Sequence, residues 1–114
     1  MSANGGVIVN ISDLAALQPW PRFPIHSISK AGVEMLTRNA ALILAPLVRV
    51  NAVAPGPVLK PTGMSDDRWA EICAELPLQR GGTAQDVAEA VLFLCKNDFI
   101  TGETLVVDGG GRFV

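Results

Sequence analysis

The sequence predicts an α/β fold in which three parallel strands are joined by crossover helices, in the order β-α-β-(α)-α-β. Three observations carry this. Val7 to Ile11, Val48 to Val53 and Thr104 to Val107 are short apolar runs rich in β-branched residues, the pattern of strands buried on both faces. The segments between them carry apolar residues at helical spacing. A strand-helix-strand sequence is the crossover unit of a parallel sheet, and right-handed crossovers would set the three strands side by side. With 114 residues, 49% of them hydrophobic and 18% charged, the chain is expected to be a single domain over residues 1–114.

Taken in order, the first strand is followed by Ser12 to Pro24, which reads as a loop punctuated by Pro19, Pro21 and Pro24. From about Ser27 to Ala45, Val33, Leu36, Ala40 and Ile43 repeat with helical period, and Pro46 stands where a helix must end. The second strand is expected to close at Ala54-Pro55-Gly56-Pro57, residues that interrupt a ladder. Ser65 is placed to cap a helix over about 65–76, with Trp69, Ile72, Cys73 and Leu76 on one face and Pro77 as its stop. Thr83 is placed to cap a third helix striped by Val87, Val91 and Leu94, with Asp86 near its positive end. Thr101-Gly102 then turns the chain into the last strand, which ends at Asp108-Gly109-Gly110-Gly111.

A formal charge of -2, a pI near 5.2 and nine scattered Lys and Arg residues provide no basic field, which argues against a nucleic-acid partner. Cys73 and Cys95 lie inside helical patterns without partners at metal-ligand spacing, so reduced thiols and no metal site are expected. No run approaches the roughly 18 apolar residues of a membrane span. Met1 to Gly6 reads as a small polar lead rather than a targeting peptide, and a cytoplasmic protein is the expectation.

Four segments recur together: Val7-Ile8-Val9-Asn10-Ile11-Ser12, Ser29-Lys30-Ala31-Gly32-Val33, Arg49-Val50-Asn51-Ala52-Val53-Ala54-Pro55-Gly56, and Gly102 to Gly110. In this order and spacing they resemble the short-chain dehydrogenases/reductases, over nearly the whole chain. The resemblance implies a Rossmann-type fold, NAD or NADP as cofactor, and hydride transfer to or from a carbonyl or an imine. It also implies that the N-terminal dinucleotide-binding half is absent, leaving a partial fold that binds the cofactor weakly. No glycine-rich turn between a strand and a helix is present to hold a pyrophosphate. An apolar first strand that begins only six residues into the chain also expects an upstream neighbour.

The family signature is a tyrosine four residues before a lysine, with a serine thirteen residues before the tyrosine. Here the lysine is Lys30, the tyrosine position is His26 and the serine position is Asp13, and the chain contains no tyrosine. His26 and Lys30 share one face of a helix, so the imidazole is the candidate proton donor in place of the phenol, and Lys30 the candidate for holding the nicotinamide ribose. The alternative for His26 is a plain polar residue at the mouth of a loop, and for Asp13 a turn former bonding its own backbone. Asp13, followed by Gln18-Pro19, is similar to the pteridine-reductase branch, as are Pro55-Gly56-Pro57-Val58 and Asn97 to Gly102. The resemblance therefore implies a small carbonyl or pterin substrate, with Asp13 and Trp69 touching it, ordinary packing being the alternative for Trp69. It further implies that Pro55, Gly56 and Val58 line the nicotinamide, that Lys60 occupies a common threonine position, and that the helix over about 65–76 is a mobile lid. Ile43, where an acidic residue is common, favours a homo-oligomer. The competing expectation is a non-catalytic oligomerising remnant of such an enzyme.

Overall fold

The computed structural model describes residues 5–114, so most of the Met1–Gly6 lead lies outside the described residues. Strand β1 (Gly6–Ile11) leads through a single 3-10 turn (Leu14–Ala16) to the long helix α1 (Pro24–Leu44) and then to β2 (Val48–Pro55). Helices α2 (Asp66–Ala74) and α3 (Ala84–Lys96) precede β3 (Thr104–Val107), and a short turn over Gly111–Phe113 ends the chain. The sheet order is β1-β2-β3, all parallel, with Gly6 opposite Val48 and Ala52 opposite Thr104. The three expected strands and three helices are all present.

The boundaries differ from expectation where proline chemistry decides them. Helix α1 begins at Pro24, earlier than Ser27, because proline at the first helical position has its φ already set and its missing N–H has no partner there to lose. It stops at Leu44, and Ala45, the residue before Pro46, is extended. Strand β2 continues through Pro55 instead of closing at Val53. The N–H groups of Ala52 and Gly56 point to the carbonyls of Glu103 and Val107 on the β3 side. Alternation turns the Pro55 nitrogen to the other side, beyond the last β1–β2 pair at Ile11 and Val53, where no ladder bond is required. Helix α2 ends at Ala74, short of Pro77, and the expected loop after β1 contains the 3-10 turn.

The two faces of the sheet are covered by different helices. Val53, Ala90 and Leu94 form a buried cluster with Val9, Val87, Val91, Leu105 and Val107, which places α3 against the odd-numbered side chains. Asn10 donates to Thr37 at 3.0 Å and Thr104 donates to Glu34 at 2.6 Å, which places α1 against the even-numbered ones. Since the strands step in one direction across the sheet, helices on opposite faces give the two crossovers opposite hands. One of them departs from the expected right-handed rule. That rule rests on a strand feeding directly into the helix that packs back on the sheet. Between β2 and α3 the chain interposes a loop, α2 and a further turn, which frees α3 to take the other face.

β2 is the centre of the core: Ala52, Val53 and Ala54 are fully buried, as is Asn51. The Asn51 amide donates to the Ile100 carbonyl at 2.9 Å and accepts from the Glu103 N–H at 3.0 Å, so this buried polar group is satisfied. Among the described residues nothing pairs with the outer edge of β1.

Candidate active site

The carboxyl ends of β1 and β2 converge on one cavity of about 560 Å³. Parallel sheets place ligands at these ends, where loops leave the strands and backbone groups are free of the ladder. Asp13 stands immediately beyond β1 and divides its carboxylate between two tasks. Oδ1 accepts from the Ala15 N–H at 2.8 Å and caps the 3-10 turn, while Oδ2 lies 3.3 Å from His26 Nε2. The turn-forming reading of Asp13 describes Oδ1, which leaves Oδ2 to face His26. The turn fixes the carboxylate so that its second oxygen faces the helix.

His26 is in the first turn of α1 and Lys30 one turn later, and both reach back toward the end of β1. Lys30 Nζ donates to the Ile11 carbonyl at 3.3 Å. The i, i+4 spacing thus brings Asp13, His26 and Lys30 to one strand end, as their helical phase requires. The Asp13 and His26 side chains are 34% and 42% exposed, open enough for exchange with a ligand.

Asp13, Gln18, Trp20, Pro55, Val58 and Trp69 line the cavity, with Gly56 between the last three. His26 and Lys30 are not on this lining; His26 meets the cavity through Asp13. Gly56 is required by packing, because a Cβ there would meet the Asp108 Cβ at 2.7 Å. The Gly82 N–H donates to the Pro57 carbonyl at 2.8 Å and holds the following loop in place. Trp69 reaches the wall from α2, and its indole covers Gly81, where a Cβ would lie 2.9 Å from the ring. Lys60 pairs with Asp66 at the start of α2, and this hydrogen bond, with the attraction of the ammonium, holds the Asp66 carboxyl below its ordinary range.

Trp20 is a wall residue that the sequence did not single out, as are Leu14, Leu59 and Met64. Its place in a proline-rich loop gave no periodic signal, and the Pro19-Trp20-Pro21 run was readable only as punctuation. Gln18, noted as part of a motif, donates through its side-chain amide to the Arg112 carbonyl and ties the loop to the C-terminal turn.

The residues present fit only one end of a dinucleotide. Lys30, Pro55, Gly56 and Val58 surround the strand ends where a nicotinamide and its ribose would lie. The Gly109 to Gly111 run provides no pyrophosphate cradle. Asp108, whose side chain is 6% exposed, already accepts from the Gly110 and Arg112 N–H groups, and a Cβ on Gly110 would strike Pro77 at 2.7 Å. No group of three or more His, Cys, Asp or Glu placed to hold a metal occurs among the described residues. No helix among them is long and apolar enough to cross a membrane.

A family model described as enoyl-(acyl carrier protein) reductase matches residues 1–111. The chain belongs to the short-chain dehydrogenase/reductase family. It is 41% identical over 112 residues to a 3beta-hydroxysteroid dehydrogenase of Eggerthella lenta, covering 92% of this chain and 43% of that protein. It is 40% identical over 107 residues to pteridine reductase 1 of Leishmania tarentolae, covering 90% and 37%. Among solved structures, FolM alternative dihydrofolate reductase 1 from Brucella canis, complexed with NADP, superposes with a TM-score of 0.92 at 31% identity. That match covers 100% of this chain and 46% of the other. The chain thus spans less than half the length of these relatives, and its three strands and helices form part of the family's Rossmann-type fold.

Proposed function

We propose that this chain is the substrate-facing and proton-donating part of an NAD(P)-dependent reductase whose substrates are small carbonyls or pterins. The observation that carries the reading is the contact between Asp13 Oδ2 and His26 Nε2 at the cavity wall. Lys30, Pro55, Gly56 and Val58 would hold the nicotinamide end of a dinucleotide, which would supply the hydride to a carbonyl or imine carbon. The oxygen or nitrogen of that group, receiving the π pair, then needs a proton. His26 provides it and ends neutral. Because Asp13 and not His26 lines the cavity, the carboxylate passes the proton on, or holds the amino-pyrimidine edge of a pterin while it moves. Helix α2, carrying Trp69 and latched by Lys60 and Asp66, serves as the lid.

The test is single-turnover hydride transfer by the chain joined to an N-terminal family half. Asp13→Ala should slow transfer to pterins more than to simple ketones. Equal loss with both would remove the pterin assignment.

A second reading is supported by surface chemistry. Helix α1 exposes Ile25, Ile28, Leu42 and Ile43, the last at 76%, and among the described residues nothing pairs with the outer edge of β1. An oligomerising protein without catalysis would present such a surface. It predicts assemblies by light scattering together with no transfer in any joined form.

A further inference from the structure

Trp20 stands between the cavity and the proposed donor. It lines the cavity, is 44% exposed, and packs its indole against the His26 imidazole with centroids 5.8 Å apart and planes at 82°. The indole is itself held. Phe23 meets it edge-on at 4.9 Å and 70°, the Phe23 N–H donates to the Trp20 carbonyl at 3.0 Å, and prolines flank it on both sides. Perpendicular aromatic pairs at such separations are favoured by their ring quadrupoles. An imidazole has two soft torsions, and a single 3.3 Å contact to Asp13 leaves rotation about that contact free. A second ring at right angles removes that freedom.

We propose that Trp20 is the positioning residue for His26, holding the imidazole so that Nε2 rather than Nδ1 faces Asp13. This rests on the reading of His26 as proton source, and it assigns Trp20 a role that the family motif does not contain. The indole acts through His26, since the imidazole takes its orientation from the indole face and its proton placement from Asp13. The same side chain borders the cavity, so a planar ligand seated there presses on the ring that orients the donor.

His26 is the single histidine of the chain, so isotope labelling of histidine alone reports one imidazole even in an assembled state. Nitrogen chemical shifts of the neutral ring distinguish the Nε2–H from the Nδ1–H tautomer. The parent chain is expected to hold one tautomer, with the proton on Nε2 shared with Asp13. Trp20→Leu is expected to lose that preference and give averaged nitrogen shifts, and Trp20→Phe to restore it. A Trp20→Leu chain that keeps the parent tautomer overturns the proposal. Should that variant not fold, the contact is read in the parent: a cross-relaxation peak between the indole and imidazole protons supports the proposal, and its absence overturns it. None of these readouts uses turnover. A bystander His26 in the hydride-transfer assay would leave the tautomer result intact, and the reverse outcome is equally separable.

Discussion

The Thr104 hydroxyl at the start of β3 donates to Glu34 Oε1 on α1 at 2.6 Å, bridging the long helix to the last strand across the face of the sheet. Glu34 is 4% exposed, and this bond satisfies Oε1 while Oε2 is buried without a partner, so it offsets only part of the cost of removing the carboxyl from water. Thr104→Val should therefore cost about 1–3 kcal/mol, the usual penalty for leaving a buried polar group without its partner. Replacing both, as Glu34→Leu with Thr104→Val, should recover much of the loss. Denaturant unfolding of the two variants and the parent checks this; equal destabilisation by the single and double changes would contradict it.

Acid should loosen α3 at its N-terminus. The Arg80 guanidinium hydrogen-bonds Asp86, and the Thr83 N–H and hydroxyl do the same in a capping box, lowering the Asp86 pKa to about 2. A carboxylate whose folded pKa lies below its unfolded value of 3.8 contributes stability that is present above pH 3.8. That contribution fades as pH falls through the window down to about 2. Asp86→Asn should flatten the pH dependence of unfolding in this window and leave its slope at neutral pH unchanged. A parent and variant with the same acid slope would refute the assignment.

The strands, the helices and their order were legible because each depends on a local period: β-branched runs in β1, β2 and β3, and apolar stripes in α1, α2 and α3. The caps at Ser65 and Thr83 were legible for the same reason, since capping joins residues three apart. The face taken by α3 was not, because it depends on how a long connection travels and not on any residue in it. In the site, the four-residue spacing of His26 and Lys30 implied a shared helix face, and both side chains reach the segment at the end of β1. The resemblance put Asp13 at the substrate, but that His26 meets the cavity wall only through Asp13 was hidden, since it follows from the 3-10 turn that fixes the carboxylate. Trp20 was hidden too, because aromatic contacts between a loop and a helix leave no period in the sequence.

The 114-residue chain should bind NADPH poorly. Its cavity offers Pro55, Gly56 and Val58 to the nicotinamide end, with Lys30 at the neighbouring end of β1, while the glycines at 109–111 are packed on Pro77 and Leu76 and leave no N–H cluster for a pyrophosphate. The phosphates supply much of the anchoring in dinucleotide sites, through helix N-termini and backbone donors. Calorimetry, or energy transfer from Trp20 and Trp69 to bound NADPH, should detect no association in the micromolar range. Micromolar binding by a verified monomer would show that a pyrophosphate site exists elsewhere in the chain.

The proton donor has a signature in pH. If His26 supplies the proton, hydride transfer by the chain joined to an N-terminal half should decline once the pH is high enough to leave the imidazole neutral. A phenol in the same role would keep the limb near 10 before perturbation. His26→Ala should slow the chemical step by about a hundredfold, within the usual contribution of a general acid. His26→Tyr should recover activity and move the limb upward, because Lys30 is one turn away and its ammonium favours a phenolate. Asp13 remains in all three proteins, so any part it takes in transfer does not vary between them. The measurement is single-turnover transfer over a pH series, with chemistry isolated from product release. An unchanged profile in His26→Ala would make the imidazole a bystander, leaving Asp13 to act without it, and the 3.3 Å contact would then be a structural tie between the β1 turn and α1.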